Sequence, residues 1–195
     1  MKKGETKIRD GFTLIEVSLV LGIAGLIFLM MMIALPALQR QERDTERRED
    51  ITWLIDVIKK YQSNNRGALP GLMDSVGDEG IIVEWGENMD GDVSTWKGFY
   101  RDHLGENFKD PDGENYRLLV MKCSGSITDA ECTGKAASVA AELNNAQFPN
   151  GFTLNLITQA KCAGDSNIGV VASSNSRKMA VLYKLEGGGV YCADL

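Results

Sequence analysis

The chain has 195 residues, with 21 basic and 27 acidic side chains, one histidine and four cysteines, and its net charge is −6. This length suits one domain with an attached segment better than two full domains. The acidic balance argues against nucleic acid, or an anionic membrane surface, as the partner of the bulk surface, because phosphate binding depends on clustered Lys and Arg.

The chain begins with a basic leader, which is followed by a glycine and then by a long apolar run. From Val17 to Leu38 there are 22 residues without a charge, about 33 Å of helix, enough to cross a hydrocarbon core of about 30 Å. A secretory signal peptide has the opposite order, because its apolar region precedes the cleavage site. Cleavage at Gly11 would leave the apolar run on the mature chain. Glu16 would then be a costly charge unless it is paired.

The segment Gly11-Phe12-Thr13-Leu14-Ile15-Glu16 resembles the class III signal of type IV prepilins and pseudopilins. The resemblance implies cleavage after Gly11 by the prepilin peptidase, N-methylation of the new first residue Phe12, and a role for Glu16 in assembly and axial register. Asp10 departs from the pattern, since many relatives carry a basic residue there. Pro36 lies further along than the family's helix proline, so a helix kink is expected to be displaced to it.

A single helix is predicted from Phe12 to Arg66. Interleaved acidic and basic residues from Arg40 to Asp50 support an exposed helix through i, i+3 and i, i+4 pairs. After them, apolar residues recur at the spacing of one helical face that packs on a core. These residues are Ile51, Leu54, Ile55, Ile58 and Tyr61. We expect residues 1–11 to be removed, 12–38 to form the membrane and filament-core half of the helix, and 39–66 to form its amphipathic half.

The remaining residues, 67–195, are predicted to form a globular head. Between residues 67 and 115 the patterns are weak, apart from a short helix near Trp96 to His103. Strand patterns follow at Tyr116–Met121, Thr153–Thr158, Ile168–Ala172 and Met179–Leu185, and Gly187 to Gly189 predicts a hairpin turn before Val190 and Tyr191. The predicted fold class is α+β: the pilin fold, in which the long N-terminal helix packs against a small antiparallel sheet.

All four cysteines follow the apolar run, and an even number in an exported segment suggests disulfides. Three pairings are possible. We favour Cys162 with Cys192, which would tie the last strands together, and Cys123 with Cys132, which would close a short loop.

No catalytic or cofactor site is predicted, and we expect the protein not to be an enzyme. His103 is the one histidine, so a zinc site with two histidines within the chain is excluded. No nucleophile-elbow sequence and no phosphate-binding glycine loop is present. Oxygen-rich residues after Lys109 are a weak calcium candidate, formed by Asp110, Asp112 and Asn115. The closing glutamate of a calcium loop is missing, and an acidic turn explains the segment equally well.

The resemblance implies a structural subunit of a type IV pilus. Before assembly it would be a single-pass protein of the cytoplasmic membrane. It would then assemble through its N-terminal helix into a helical homo-oligomeric filament at the cell surface. The implied partners are the prepilin peptidase, an assembly ATPase and an inner-membrane platform protein, without direct binding of nucleic acid. One alternative is a major pseudopilin of a type II secretion or DNA-uptake pseudopilus. An alternative of another class is a signal-anchored membrane binding protein.

Overall fold

The computed structural model describes residues 12–71, 81–86, 92, 94–123, 153–164 and 170–195. The chain divides into two units, Met1–Arg40 and Gln41–Leu195. The leader, Gly11 and Cys132 lie outside the described residues, so the expectations placed on them stay predictions.

The first element is helix α1, Leu14–Asn64, which continues without interruption through Pro36. Its bounds agree with the predicted Phe12–Arg66 to within two residues at each end. The helix ends because Arg66 (φ 56°) and Gly67 (φ 83°) adopt the left-handed conformation, and the Gly67 N–H then donates to the Gln62 carbonyl at 2.6 Å. A left-handed turn of this kind after a helix commonly supplies N–H donors to the last carbonyl groups of the helix.

The part of α1 in the first unit is apolar and exposed along its whole described length. Among the described residues, α1 is the one helix that is long and apolar enough to cross a membrane, judged by length and composition. The apolar run predicted from the sequence as a membrane-spanning segment is therefore helical.

In the second unit, α1 contributes one buried face to the core. Ile51, Leu54 and Ile58 are fully buried, and Ile55 and Tyr61 nearly so, which confirms the predicted stripe. Burying a side chain of this size stabilises the fold by about 1.5–3 kcal/mol. Replacing one of these residues with a charge would therefore disrupt the head.

In its described residues, the second unit contains seven strands, which form two sheets. The larger sheet has the order β1-β2-β3-β6-β7, and the smaller one pairs β4 with β5. The strands are β1 Ile81–Val83, β2 Arg117–Lys122, β3 Thr153–Thr158, β4 Ala160–Cys162, β5 Val170–Ala172, β6 Met179–Lys184 and β7 Val190–Asp194.

The expectation of a small antiparallel sheet is corrected by the pairing of β2 with β3. These strands run parallel, with Arg117 opposite Thr153 and Lys122 opposite Thr158, whereas the other three pairings of the large sheet are antiparallel. A parallel pair needs a long crossover connection, and the residues between β2 and β3 are numerous enough to provide one. The fold is α+β with a mixed sheet.

The large sheet is covered on both faces, so its central strand β3 is buried at every position. Leu154 and Leu156 belong to the cluster that includes the α1 stripe. Ile157 belongs to a second cluster with Ala160 of β4 and Val170 of β5. The burial of β3 on both faces includes two polar side chains, Thr153 and Asn155, on the face of Ile157.

A short helical segment precedes β2, at the place predicted from the sequence. It consists of α2, Trp96–Phe99, a π-helical turn at Tyr100–Leu104 and a 3-10 turn at Gly105–Asn107. Phe99 is fully buried, and its ring meets that of Tyr61 edge-on at 5.4 Å. This segment therefore joins the core beside the end of α1.

A disulfide joins Cys162 of β4 to Cys192 of β7, the pairing favoured from the sequence. It connects the small sheet to the edge of the large one. Cys123, at the end of β2, is also disulfide-bonded, and its expected partner, Cys132, is outside the described residues.

Candidate functional site

The start of α1 holds the two polar residues of the sequence motif in a reciprocal arrangement. Thr13 precedes the first helical residue, and its backbone N–H and its hydroxyl donate to Glu16 Oε2 at 2.9 and 2.8 Å. In return, the Glu16 N–H donates to Thr13 Oγ1 at 3.3 Å. This is a capping box, in which N-cap and N3 side chains satisfy N–H groups that the helix leaves free.

The capping box gives Glu16 a partner that the sequence interpretation did not name. A second candidate partner of Glu16, the amino group of Phe12, would exist only after cleavage. The Thr-x-x-Glu spacing was the signal that could have identified Thr13. Phe12 itself is 89% exposed, so the residue expected to be exposed by cleavage and methylated is accessible.

The apolar segment after Glu16 presents a continuous hydrophobic surface. Its large side chains are between 48% and 71% exposed from Val17 to Leu38, a patch far larger than monomeric soluble proteins expose. An added Cβ at Gly22 or Gly25 would meet nothing within 4 Å, so both glycines leave room for a neighbouring helix to approach. By length and composition, this exposed apolar helix is a candidate membrane span.

The suggested calcium ligands do not surround a cation-sized site. Asp110 accepts from Arg47 Nε at 2.6 Å and from Arg47 Nη2 at 2.8 Å, and Asp112 accepts from the same Nη2 at 3.1 Å. Asn115 instead pairs with Lys109 in an isolated β-bridge. Among the described residues, no group of three or more His, Cys, Asp and Glu side chains could hold a metal ion.

Arg47, which the sequence interpretation counted among the exposed helix charges, is therefore the centre of a buried ionic cluster. Its side chain is 2% exposed, and that of Asp110 is fully buried. Burial opposes the charge on Arg47, but hydrogen bonds to Asp110 and Glu186 outweigh it and raise the pKa of the guanidinium. Only the tertiary structure brings Asp110 to this helix face, so no local pattern could have found the pair.

The same cluster attaches α1 to the turn between β6 and β7. Asp44 accepts from the backbone N–H groups of Glu186 and Gly187, both at 2.9 Å. The Glu186 carboxylate lies 2.7 Å from Arg43 Nη2 and 2.7 Å from Arg47 Nη1. Hydrogen bonding to Arg43, together with Arg47, lowers the pKa of Glu186 below its usual value. The charged residues of the amphipathic half thus fix the head to the helix.

His103 is exposed on the helical segment before β2. Its ring contacts those of Tyr61 and Phe99, with centroids 5.6 and 5.2 Å away. No base or nucleophile of the described residues pairs with it.

No family model, no curated protein and no solved structure matches this chain.

Proposed function

We propose that this chain is a filament subunit of the type IV pilin and pseudopilin class. In this proposal the precursor is held in the cytoplasmic membrane, cleaved after Gly11 by a prepilin peptidase and assembled through its N-terminal helix. The observation that carries the proposal is the coincidence, in order, of a basic leader, Gly11, the Thr13–Glu16 cap and an exposed apolar helix.

The exposed apolar helix supports assembly for an energetic reason. A helix that leaves lipid for a bundle of like helices exchanges one apolar environment for another, so packing rather than water exclusion decides the balance. Gly22 and Gly25 leave space for close packing. An assembly machinery with an ATPase and a platform protein would supply the direction of the exchange.

A second argument for the proposal is that the core of the head does not include the apolar segment of α1. Every buried residue of α1 lies at or after Asp44, so the head can keep its core while the apolar segment changes surroundings. The Cys162–Cys192 disulfide fits a head that functions in an oxidising compartment.

The experiment that tests this proposal is mass spectrometry of the mature N-terminus. We expect a chain that begins at Phe12 with a methylated amino group, and a full-length chain when the peptidase is deleted. Gly11→Val is the matched variant, because it leaves the charges and the apolar run unchanged while altering the expected cleavage residue. A mature terminus beyond Leu38 would contradict the proposal, since the apolar segment would be lost.

The length of the fibres tests what kind of filament is formed. Sheared cells are examined by electron microscopy, and the sheared material is identified by mass spectrometry. Long surface fibres that contain this chain are expected for a pilus subunit. Cells that assemble no fibre under native expression, and whose phenotype does not depend on Glu16, would contradict a role in filaments.

A further inference from the structure

A cavity of about 520 Å³ opens in the second unit where four segments meet: the end of α1, the end of β2, the β3–β4 junction and the turn before β6. Three cationic side chains line it, Arg66, Lys122 and Arg177, and none of its lining residues is acidic. The unit that contains this basic cavity belongs to a chain with an excess of acidic residues. The concentration of positive charge is therefore local.

The arginines of this cavity differ from the other described arginines of the second unit. Four of the others form ion pairs with carboxylates, and Arg48 lies over the Tyr191 ring at 5.3 Å. In the part of the chain that the structure describes, no carboxylate lies within ion-pair distance of Arg66, Lys122 or Arg177.

Arg177 is held in position by contacts on both sides of its backbone. Its carbonyl accepts from Gln62 Nε2 at 2.8 Å, and its N–H donates to Asn175 Oδ1 at 3.0 Å. Its guanidinium lies across Gly67, where an added Cβ would come within 2.9 Å of Cζ. Gly67, at φ 83°, therefore allows both the turn and the approach of the cation.

Gln159 adds a polar side chain to the lining of the cavity. It adopts a left-handed conformation (φ 59°) between β3 and β4, which non-glycine residues rarely adopt. Its backbone is fully paired, with Lys178 and Ser173. Its side-chain Oε1, however, is buried without a hydrogen-bond partner among the described residues. Because an amide can turn over, Gln159 can offer either an acceptor or two donors to a ligand.

The partial negative charge at the C-terminal end of α1 offsets only part of the positive charge in the cavity. A helix C-terminus carries about half a negative charge, which favours nearby cations. Three full positive charges exceed it several-fold, so the described residues leave most of the positive charge in the cavity without a compensating negative charge. The volume lies within the range of about 300–1,000 Å³ typical of small-molecule sites.

We propose that this cavity binds a multiply charged carboxylate anion, with Arg66, Lys122 and Arg177 as its cationic ligands and Gln159 as a hydrogen-bonding partner. Guanidinium and ammonium groups match carboxylates in charge and in donor geometry. The carboxylates can belong to a free polycarboxylic acid or to an acidic run of a polypeptide, and the two sources are separated by the choice of probe.

The test is isothermal titration of the full chain, with one copy per zwitterionic lipid nanodisc, at low ionic strength. The probes are citrate and a hexaglutamate peptide. We expect saturable binding that weakens about tenfold, or about 1.4 kcal/mol, in Lys122→Gln and in Arg177→Gln, since each substitution removes a charged hydrogen bond. Lys59→Gln is the matched control, because Lys59 is an exposed lysine of α1 outside the cavity.

Each outcome decides the proposal. Tighter binding of citrate identifies a free small anion, and tighter binding of hexaglutamate identifies an acidic peptide segment. Absence of saturable binding by both probes, or equal weakening in Lys59→Gln and Lys122→Gln, would overturn the proposal. If the variants unfold, the wild-type chain still decides it: citrate should protect Lys122, and not Lys59, from acylation read by mass spectrometry.

Discussion

Glu16 takes part in two different interactions if the proposed cleavage occurs. In the described structure its carboxylate accepts from Thr13, and a new charged amino group at Phe12 would compete for it after cleavage. A capping interaction contributes about 1 kcal/mol to a helix, whereas an unpaired charge in hydrocarbon costs at least about 2.5 kcal/mol. The cost of an unpaired Glu16 charge therefore exceeds the contribution of the cap. In the proposed filament, that charge is the stronger reason for Glu16 to have a partner.

Two substitutions separate the cap from the charge. Glu16→Ala removes both, and Glu16→Gln keeps an oxygen that can accept from Thr13. We expect both variants to enter the membrane with intact disulfides and both to give few filaments, because neither can neutralise a neighbour's amino group. The measurement is filament yield at equal subunit level. Wild-type yield from Glu16→Gln would show that the cap, and not the charge, is what assembly requires.

The Arg47–Asp110 pair makes the head sensitive to loss of one charge. We expect Arg47→Ala to lower the free energy of unfolding by about 3–5 kcal/mol, because the fully buried Asp110 carboxylate would lose its partner. Urea unfolding of the micelle-bound chain, followed by tryptophan fluorescence, measures this. Arg101→Ala, at a partly exposed pair with Asp102, is the control and should cost about 0–1 kcal/mol. Equal losses in the two variants would contradict the buried cluster.

The Glu186 carboxylate is expected to contribute to the loss of stability of the head at low pH. Its pKa is lowered in the folded chain, first by the hydrogen bond with Arg43 and also by Arg47. Its contribution to stability is therefore present above the unfolded pKa of about 4.3 and is lost as the pH falls through the lower folded value.

We expect Glu186→Gln to be less stable than the wild type at pH 7 and equal to it at the acid end. The measurement is the difference in urea midpoint between the two proteins across this pH range. Burial raises the pKa of Asp50 in both proteins, so that contribution cancels in the difference. A difference in urea midpoint that stays constant with pH would contradict this, because it would show that the negative charge of Glu186 does not contribute to the stability of the head.

At the scale of elements, the disulfide between β4 and β7 connects the small sheet to the large one. It closes a segment with a sequence separation of 30, for which unfolded-state entropy predicts about 3–4 kcal/mol of stabilisation. We expect Cys162→Ser with Cys192→Ser to lower the free energy of unfolding, measured by urea titration, by that amount while leaving the α1 stripe packed. Wild-type stability in the reduced and double-variant proteins would contradict this role.

Element bounds were predictable where a local pattern decides them. The α1 stripe has helical spacing and a turn signal after it, and β3 was located at its observed residues, Thr153–Thr158. The short strands β1 and β4 lacked such a signal. The parallel pairing of β2 with β3 depends on a crossover between strands distant in sequence, and hydrophobic alternation does not encode the direction of a neighbouring strand.

At the scale of the whole molecule, the head carries its own core. All buried residues of α1 lie in the second unit, so a fragment from Gln41 to Leu195 should be soluble and keep its disulfides. We expect its thermal midpoint to lie within a few degrees of that of the full chain, measured by circular dichroism. A fragment that begins at Arg66 is the control and should not fold, because it lacks the Ile51–Tyr61 stripe.

The sequence by itself determined the features that depend on neighbouring residues. These are the helix with its apolar segment, the Thr-x-x-Glu start, the stripe from Ile51 to Tyr61 and most strand positions, because period and local capping are properties of short segments. Only the tertiary structure decided which distant groups meet. It placed the Asp110 carboxylate on Arg47, made the sheet mixed, and brought Arg66, Lys122 and Arg177 around one cavity. Some of these contacts join residues that are more than a hundred positions apart in the chain, and no local sequence pattern specifies them.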